Sequence, residues 1–150
     1  MTEKPRNTLA AERRKARHYG MQALYKWYMT GADLADVEAE FRTEYDFDHV
    51  DLEYFQALLH GVPAEVDALD ATLGPLLDRK LKELDPIEHS LLRMGVFELR
   101  QRIDVPYKVV INEAVALAKK FGATDSHKYI NGVLDRAARS LRKVEIEAAS

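Results

Sequence analysis

The chain has no cysteine. That single absence removes disulfide frameworks, thiolate nucleophiles and cysteine-ligated zinc. Glycine and proline are scarce, 7 and 5 in 150 residues, and the glycines form neither G-x-G-x-x-G nor a P-loop. No apolar run approaches the roughly 18 residues that a membrane span needs, and the N-terminus lacks the apolar stretch of a signal peptide. The expected compartment is therefore cytoplasmic, with no membrane partner. Catalytic constellations are missing as well. None of Ser90, Ser126, Ser140 and Ser150 sits in a G-x-S-x-G elbow. His18, His49, His60, His89 and His127 are dispersed, with no H-E-x-x-H pair, and read as surface or hydrogen-bonding groups rather than metal ligands. The acidic run at 44–53 lacks the glycine and terminal glutamate of an EF-hand loop and reads as a solvated linker. No enzyme, cofactor or metal is expected.

What remains suits a helical globule: 47% of residues are hydrophobic and 31% charged. Between Thr8 and Met29 the apolar residues Ala16, Tyr19, Ala23, Leu24, Trp27 and Tyr28 recur at three-to-four spacing, which predicts an amphipathic helix ended by Gly31. Asp33 is the expected cap of a short helix carrying Leu34, Val37 and Phe41. A stripe from Phe55 to Leu73 contains Gly61 and Pro63, so it predicts a kink or two shorter helices. Asp85-Pro86-Ile87-Glu88 is the strongest helix start, with Asp85 at the N-cap, proline first and a carboxylate third. Asp104-Val-Pro106 breaks that helix, and Gly122 ends the next one. Asp125 or Ser126 caps the last, which buries Ile130, Val133, Leu134, Ala137 and Leu141. No segment keeps a strand's period of two. The expectation is all-α, a single compact domain of six to seven helices over 1–150, with about 1–8 and 143–150 as candidates for disorder.

The net charge of −3 conceals a division along the chain. Residues 1–19 hold six basic side chains against two acidic, a net of +4. Residues 20–118 hold nine basic and nineteen acidic, a net of −10. Residues 119–143 hold seven basic against Asp125 and Asp135, a net of +5. A polyanion has two cationic ends to bind, although charge on scattered helix surfaces gives the same sums. Arg13-Arg-Lys-Ala-Arg17 concentrates the first end. Arg13 and Arg17, one turn apart, form a cationic ridge ahead of Tyr19, Tyr25 and Trp27, and guanidinium forks hold phosphate at two points and stack on bases. A solubilising first turn is the plainer reading. At the other end, Lys119-Lys-Phe121-Gly leads into Asp125-Ser-His-Lys128. There Phe121 is either core or a stacking platform, and a helix N-terminus favours anions.

The chain carries the stretches Arg13-Arg-Lys-Ala-Arg17, Gln22-Ala-Leu-Tyr25, Ala35-Asp-Val-Glu38, Tyr54-Phe55 and Leu58-Leu-His-Gly61. Further along come Asp104-Val-Pro-Tyr-Lys108, Ile111-Asn-Glu-Ala114, Leu117-Ala-Lys119, Phe121-Gly122, Asp125-Ser-His-Lys128 and Asn131-Gly-Val-Leu-Asp135. In this order and spacing, the chain from Arg13 to Arg142 resembles the NusB family. The resemblance implies two small helical bundles packed together. It also implies a heterodimer with NusE, a small-subunit ribosomal protein, that binds single-stranded boxA RNA in ribosomal RNA leaders. That heterodimer would help load an RNA polymerase complex resistant to termination. By the same resemblance Arg13, Arg14, Lys15 and Arg17, with Phe121, Asp125 and Lys128, lie at the RNA surface, while Tyr25 and Glu88 face NusE. Homodimers also occur in the family.

Lys15 departs from the arginine pattern, because lysine keeps the charge and loses the two-point fork. The acidic Glu145–Glu147 tail departs as well. Asp125 is either a base-amino acceptor or a plain cap, and Glu88 either a partner contact or an ordinary first-turn carboxylate. A −10 middle suits a basic ribosomal protein and speeds encounter with it. Two other readings are a protein–protein adaptor without RNA contact and an RNA-binding module related to that of a ribosomal RNA cytosine methyltransferase; the enzyme itself would need a Rossmann-like region and a catalytic cysteine, for which this chain has neither length nor cysteine.

Overall fold

The computed structural model describes residues 5–149. Among these there are eight α-helices and no strand, so the class is the expected one and the count exceeds the expected six or seven. The stripe around Pro63 divides into two helices, which makes seven, and the eighth is the C-terminal segment, a candidate for disorder in the sequence and helical over Lys143–Ala149. The N-terminal segment is helical from Arg6, and the residues before Pro5 lie outside the described ones. The chain separates into two compact units at the break after Ala64.

The first unit holds α1 (Arg6–Thr30), α2 (Leu34–Glu44) and α3 (Leu52–Ala64). Gly31 closes α1 in the left-handed region (φ 67°), where a glycine carries no Cβ penalty. The Asp33 carboxylate caps α2, accepting from the N–H groups of Ala35 (2.9 Å) and Asp36 (3.3 Å). Ala16, Met21, Ala23 and Leu24 of α1 and Tyr54, Phe55, Leu58, Leu59 and Val62 of α3 are buried. A Cβ at Gly20 would lie 3.2 Å from Leu58 Cδ1, which sets how closely α1 and α3 approach.

The acidic connector between α2 and α3 is more than a solvated linker. Its aspartates alternate with aromatics, and the Phe47 ring turns inward: it stacks on Tyr19 (centroids 5.3 Å apart) and meets Phe55 edge-on (5.0 Å). Asp51 N–H donates to the Glu12 carbonyl (3.1 Å), and Asp51 Oδ1 accepts from Tyr54 N–H (3.0 Å), so the connector is tied to both α1 and α3.

The second unit holds α4 (Val66–Leu73), α5 (Pro86–Gln101), α6 (Tyr107–Phe121), α7 (Ser126–Leu141) and α8 (Lys143–Ala149), with 3-10 turns at Gly74–Leu76 and Leu81–Glu83. Its centre is α5, buried on every side from His89 to Leu99. Asp85 caps α5 as expected, accepting from Ile87 N–H (2.8 Å) and Glu88 N–H (3.3 Å). A Cβ on Gly95 would fall 2.8 Å from both Leu134 methyl carbons, so only glycine lets α7 this close. The far end of α5 is capped by a side chain. Arg142, nearly inaccessible, donates to the carbonyls of Leu99 (2.7 Å), Glu98 (3.2 Å), Arg102 (2.9 Å) and Val105 (2.9 Å). Its charge is met by Glu145 Oε1 at 2.6 Å. Glu145 also accepts from Tyr107 N–H (2.9 Å), which fixes α8 in place. Burial pushes the Glu145 carboxyl up; the Tyr107 N–H and the Arg142 guanidinium outweigh it and hold it below its ordinary value.

Candidate nucleic-acid interface

In the first unit, the expected cationic ridge of Arg13 and Arg17 exists as a helical face, but that face is turned toward the protein. Arg17 is 3% exposed; its Nη2 donates to the Tyr54 hydroxyl (3.3 Å), and the guanidinium carbon lies 5.1 Å from the centre of the Tyr54 ring. Arg13 covers the same ring at 4.8 Å and pairs with Asp51 Oδ2 (3.5 Å). Both charges are thus spent on holding α1 against α3 and the connector. The helical period puts Arg14 and Lys15 on the other side, where both are exposed. Tyr19 belongs to the aromatic cluster described above, and Tyr25, eight residues after Arg17, is half-buried on α1.

In the second unit, Phe121 is the last residue of α6, half-buried, with Lys120 Nζ 5.4 Å from its ring centre. It is neither core nor fully free. Asp125 is not a side-chain cap. It sits in the left-handed region (φ 69°) rather than in the extended conformation of a capping residue, and its carboxylate accepts no helix N–H. It lies instead 3.3 Å from Lys128 Nζ, both side chains about seven-tenths exposed. Ser126 is no cap either. Its hydroxyl donates to Glu88 Oε2 (2.8 Å), which joins the N-terminal ends of α7 and α5. Glu88 therefore has a definite structural partner in addition to its first-turn position.

Several residues here went unnoticed in the sequence. Next to Lys128 a cleft of about 420 Å³ is lined by Leu76, Leu77, Asp78, Tyr129, Gly132 and Arg136. The Arg79 guanidinium covers the Tyr129 ring at 4.2 Å, and Arg136 Nη2 donates to the Leu76 carbonyl (2.9 Å). Burial, and the acceptor Asp78, push the Tyr129 hydroxyl up. The only pointer in the sequence was an aromatic following Lys128. The set of half-buried Asp70 with buried His89 and Arg93 carried none: Arg93 grips Asp70 at two points (2.7 and 2.9 Å) and His89 Nε2 approaches at 2.9 Å. Burial raises the Asp70 carboxyl; the bonds and charges of His89 and Arg93 more than reverse this and hold it well below the carboxylate range. Among the described residues no cluster of three metal-ligating side chains occurs, and no helix is long and apolar enough to cross a membrane.

The NusB family profile matches residues 14–139. The chain belongs to the NusB family. Transcription antitermination protein NusB of Hahella chejuensis is 56% identical over 138 residues, 92% of this chain and 93% of that protein. Its namesake from Teredinibacter turnerae is 57% identical over 141 residues, 93% and 96% of the two chains. T. maritima NusB shares the fold with a TM-score of 0.78 at 26% identity, covering 97% of this chain and 99% of its own. A chain in the crystal structure of a plectonemic RNA supercoil also shares the fold, with a TM-score of 0.72 at 24% identity over 90% of this chain and 96% of its own. Both of these relatives are named transcription antitermination proteins.

Proposed function

We propose that this NusB-family chain is a transcription antitermination factor that pairs with NusE and binds single-stranded boxA RNA of ribosomal RNA leaders. In that complex it helps assemble an RNA polymerase resistant to termination. The observation that carries the reading is family membership at 56% identity over nearly the whole chain, joined to exposed cations at the positions the motif assigns to RNA. In the first unit these are Arg14 and Lys15. Arg13 and Arg17 act behind them, holding the helix that presents them. In the second unit Lys128, Asp125 and Phe121 offer a cation, an amino-group acceptor and a half-exposed ring. These are the group types that read unstacked bases. NusE faces Tyr25 and Glu88, and the acidic middle of the chain draws a basic ribosomal protein.

The burial of Arg13 and Arg17 gives the adaptor reading its one support, since a basic block spent on packing needs no RNA to explain it. Binding of boxA and scrambled RNA oligomers, each with and without NusE, separates the two. A boxA preference that NusE strengthens is expected, and Glu88→Lys should weaken NusE binding far more than it lowers thermal stability. Absence of any preference by the folded protein with NusE present would leave an adaptor.

A further inference from the structure

One cation in the basic block differs from its neighbours in more than exposure. Arg13 and Arg17 are bound to Asp51 and Tyr54, whereas Lys15 makes no ion pair or hydrogen bond among the described residues. It lines a cleft of about 320 Å³ together with Asn7, Thr8, Ala11, Glu12 and His49. His49 is likewise exposed and without a partner among the described residues. It comes from the connector, 34 positions away in sequence, so their meeting is a product of the fold.

The fold holds that meeting firmly. Asp51 N–H donates to the Glu12 carbonyl, Arg13 pairs with Asp51, and Val50 is buried, so the connector is pinned to α1 within two residues of His49. The remaining charges nearby are accounted for. Glu12 is buried and already partnered. Asp51 is met by Arg13. Asp48 is exposed, and its backbone N–H binds Asp46 Oδ1 (2.9 Å). Two uncommitted cationic or donor groups at one mouth, flanked by the Thr8 hydroxyl and the Asn7 amide, suit an oxyanion of low steric demand.

We infer that Lys15 and His49 together form a seat for one backbone phosphate of the bound single-stranded RNA. The inference rests on the RNA-binding reading above. It adds a contact from the acidic connector, and it explains why lysine serves at this position: a compact ammonium with three rotatable donors fits a phosphate shared with an imidazole, where no two-point fork is needed.

The test is a charge series at His49, measured by binding of a boxA-bearing RNA oligomer to the full chain with NusE present. Thermal unfolding of each variant confirms that it is folded. Affinity is expected to be retained or raised in His49→Arg, lowered several-fold in His49→Gln and lowered most in His49→Glu. Lys15→Met should cost about tenfold and reduce the slope of log K against log salt by about 0.7. The loss in Lys15→Met with His49→Gln should fall short of the product of the single losses, because both groups hold one phosphate. Binding that is equal in the Gln and Glu variants and in the wild type removes His49 from the interface while leaving the RNA reading intact. Failure of the wild-type protein itself to bind RNA overturns both.

Discussion

Single residues divide into those whose role followed from their type and neighbours and those whose role needed the fold. Asp33 and Asp85 cap as their local sequence requires, because a cap depends on residues two and three positions away. Asp125 looked the same in sequence and is not a cap, since its left-handed backbone was invisible there. That conformation yields a prediction. Asparagine tolerates the left-handed region well and no cap bond is lost, so Asp125→Asn should leave stability within about 0.5 kcal/mol of wild type. If the carboxylate accepts from a base amino group, the same variant changes boxA affinity or selectivity. Equal affinity and selectivity in a filter-binding titration would take Asp125 off the RNA surface. Arg17 is the converse case. Its presence in a basic block was plain from the sequence, but its burial under Tyr54 depends on a residue 37 positions away.

At the scale of elements, helix starts and stops were readable wherever glycine, proline or an acidic cap marked them, and less so elsewhere. The division at Pro63 was expected, and it falls at the boundary between the two units. The α8 helix was not, because its order comes from Arg142 and from Glu145 bonding to Tyr107 N–H. Arg142, one of the seven basic residues of 119–143, serves as the C-terminal cap of α5. The contact between α4 and α5 rests on Asp70, His89 and Arg93, and it carries a pH signature. A carboxyl held below its ordinary value contributes stability that is present above the carboxylate range and lost as pH falls through the lowered folded value. Asp70→Asn should therefore cost about 2–3 kcal/mol at neutral pH, because the buried Arg93 loses the carboxylate that it grips at two points. In urea unfolding between pH 7 and pH 2, the gap between variant and wild type should narrow on acidification. A gap that stays constant over this range would show that the Asp70 charge contributes nothing to the pair.

For the whole molecule, the charge division along the chain was a fair guide to sign and a poor guide to availability. Part of the +4 and +5 ends is consumed inside the units by Arg13, Arg17 and Arg142; the exposed remainder includes Arg14, Lys15 and Lys128 together with Lys119, Lys120, Arg136, Arg139 and Lys143. All-helical architecture was evident from periodicity; division into two units and the cleft shared by Lys15 and His49 depend on long-range packing that no local pattern encodes. The measurement that bears most directly on this picture is the salt dependence of boxA RNA binding, with NusE present, for wild type, Arg14→Ala, Lys15→Met and Arg17→Ala. Loss of Arg14 or Lys15 should each lower the slope by about 0.7, one single-strand phosphate contact apiece. Arg17→Ala should destabilise the fold and, measured where it remains folded, keep the wild-type slope. Wild-type slopes in the Arg14 and Lys15 variants, or a reduced slope only for Arg17, would contradict the assignment of RNA contact to the outward face of α1.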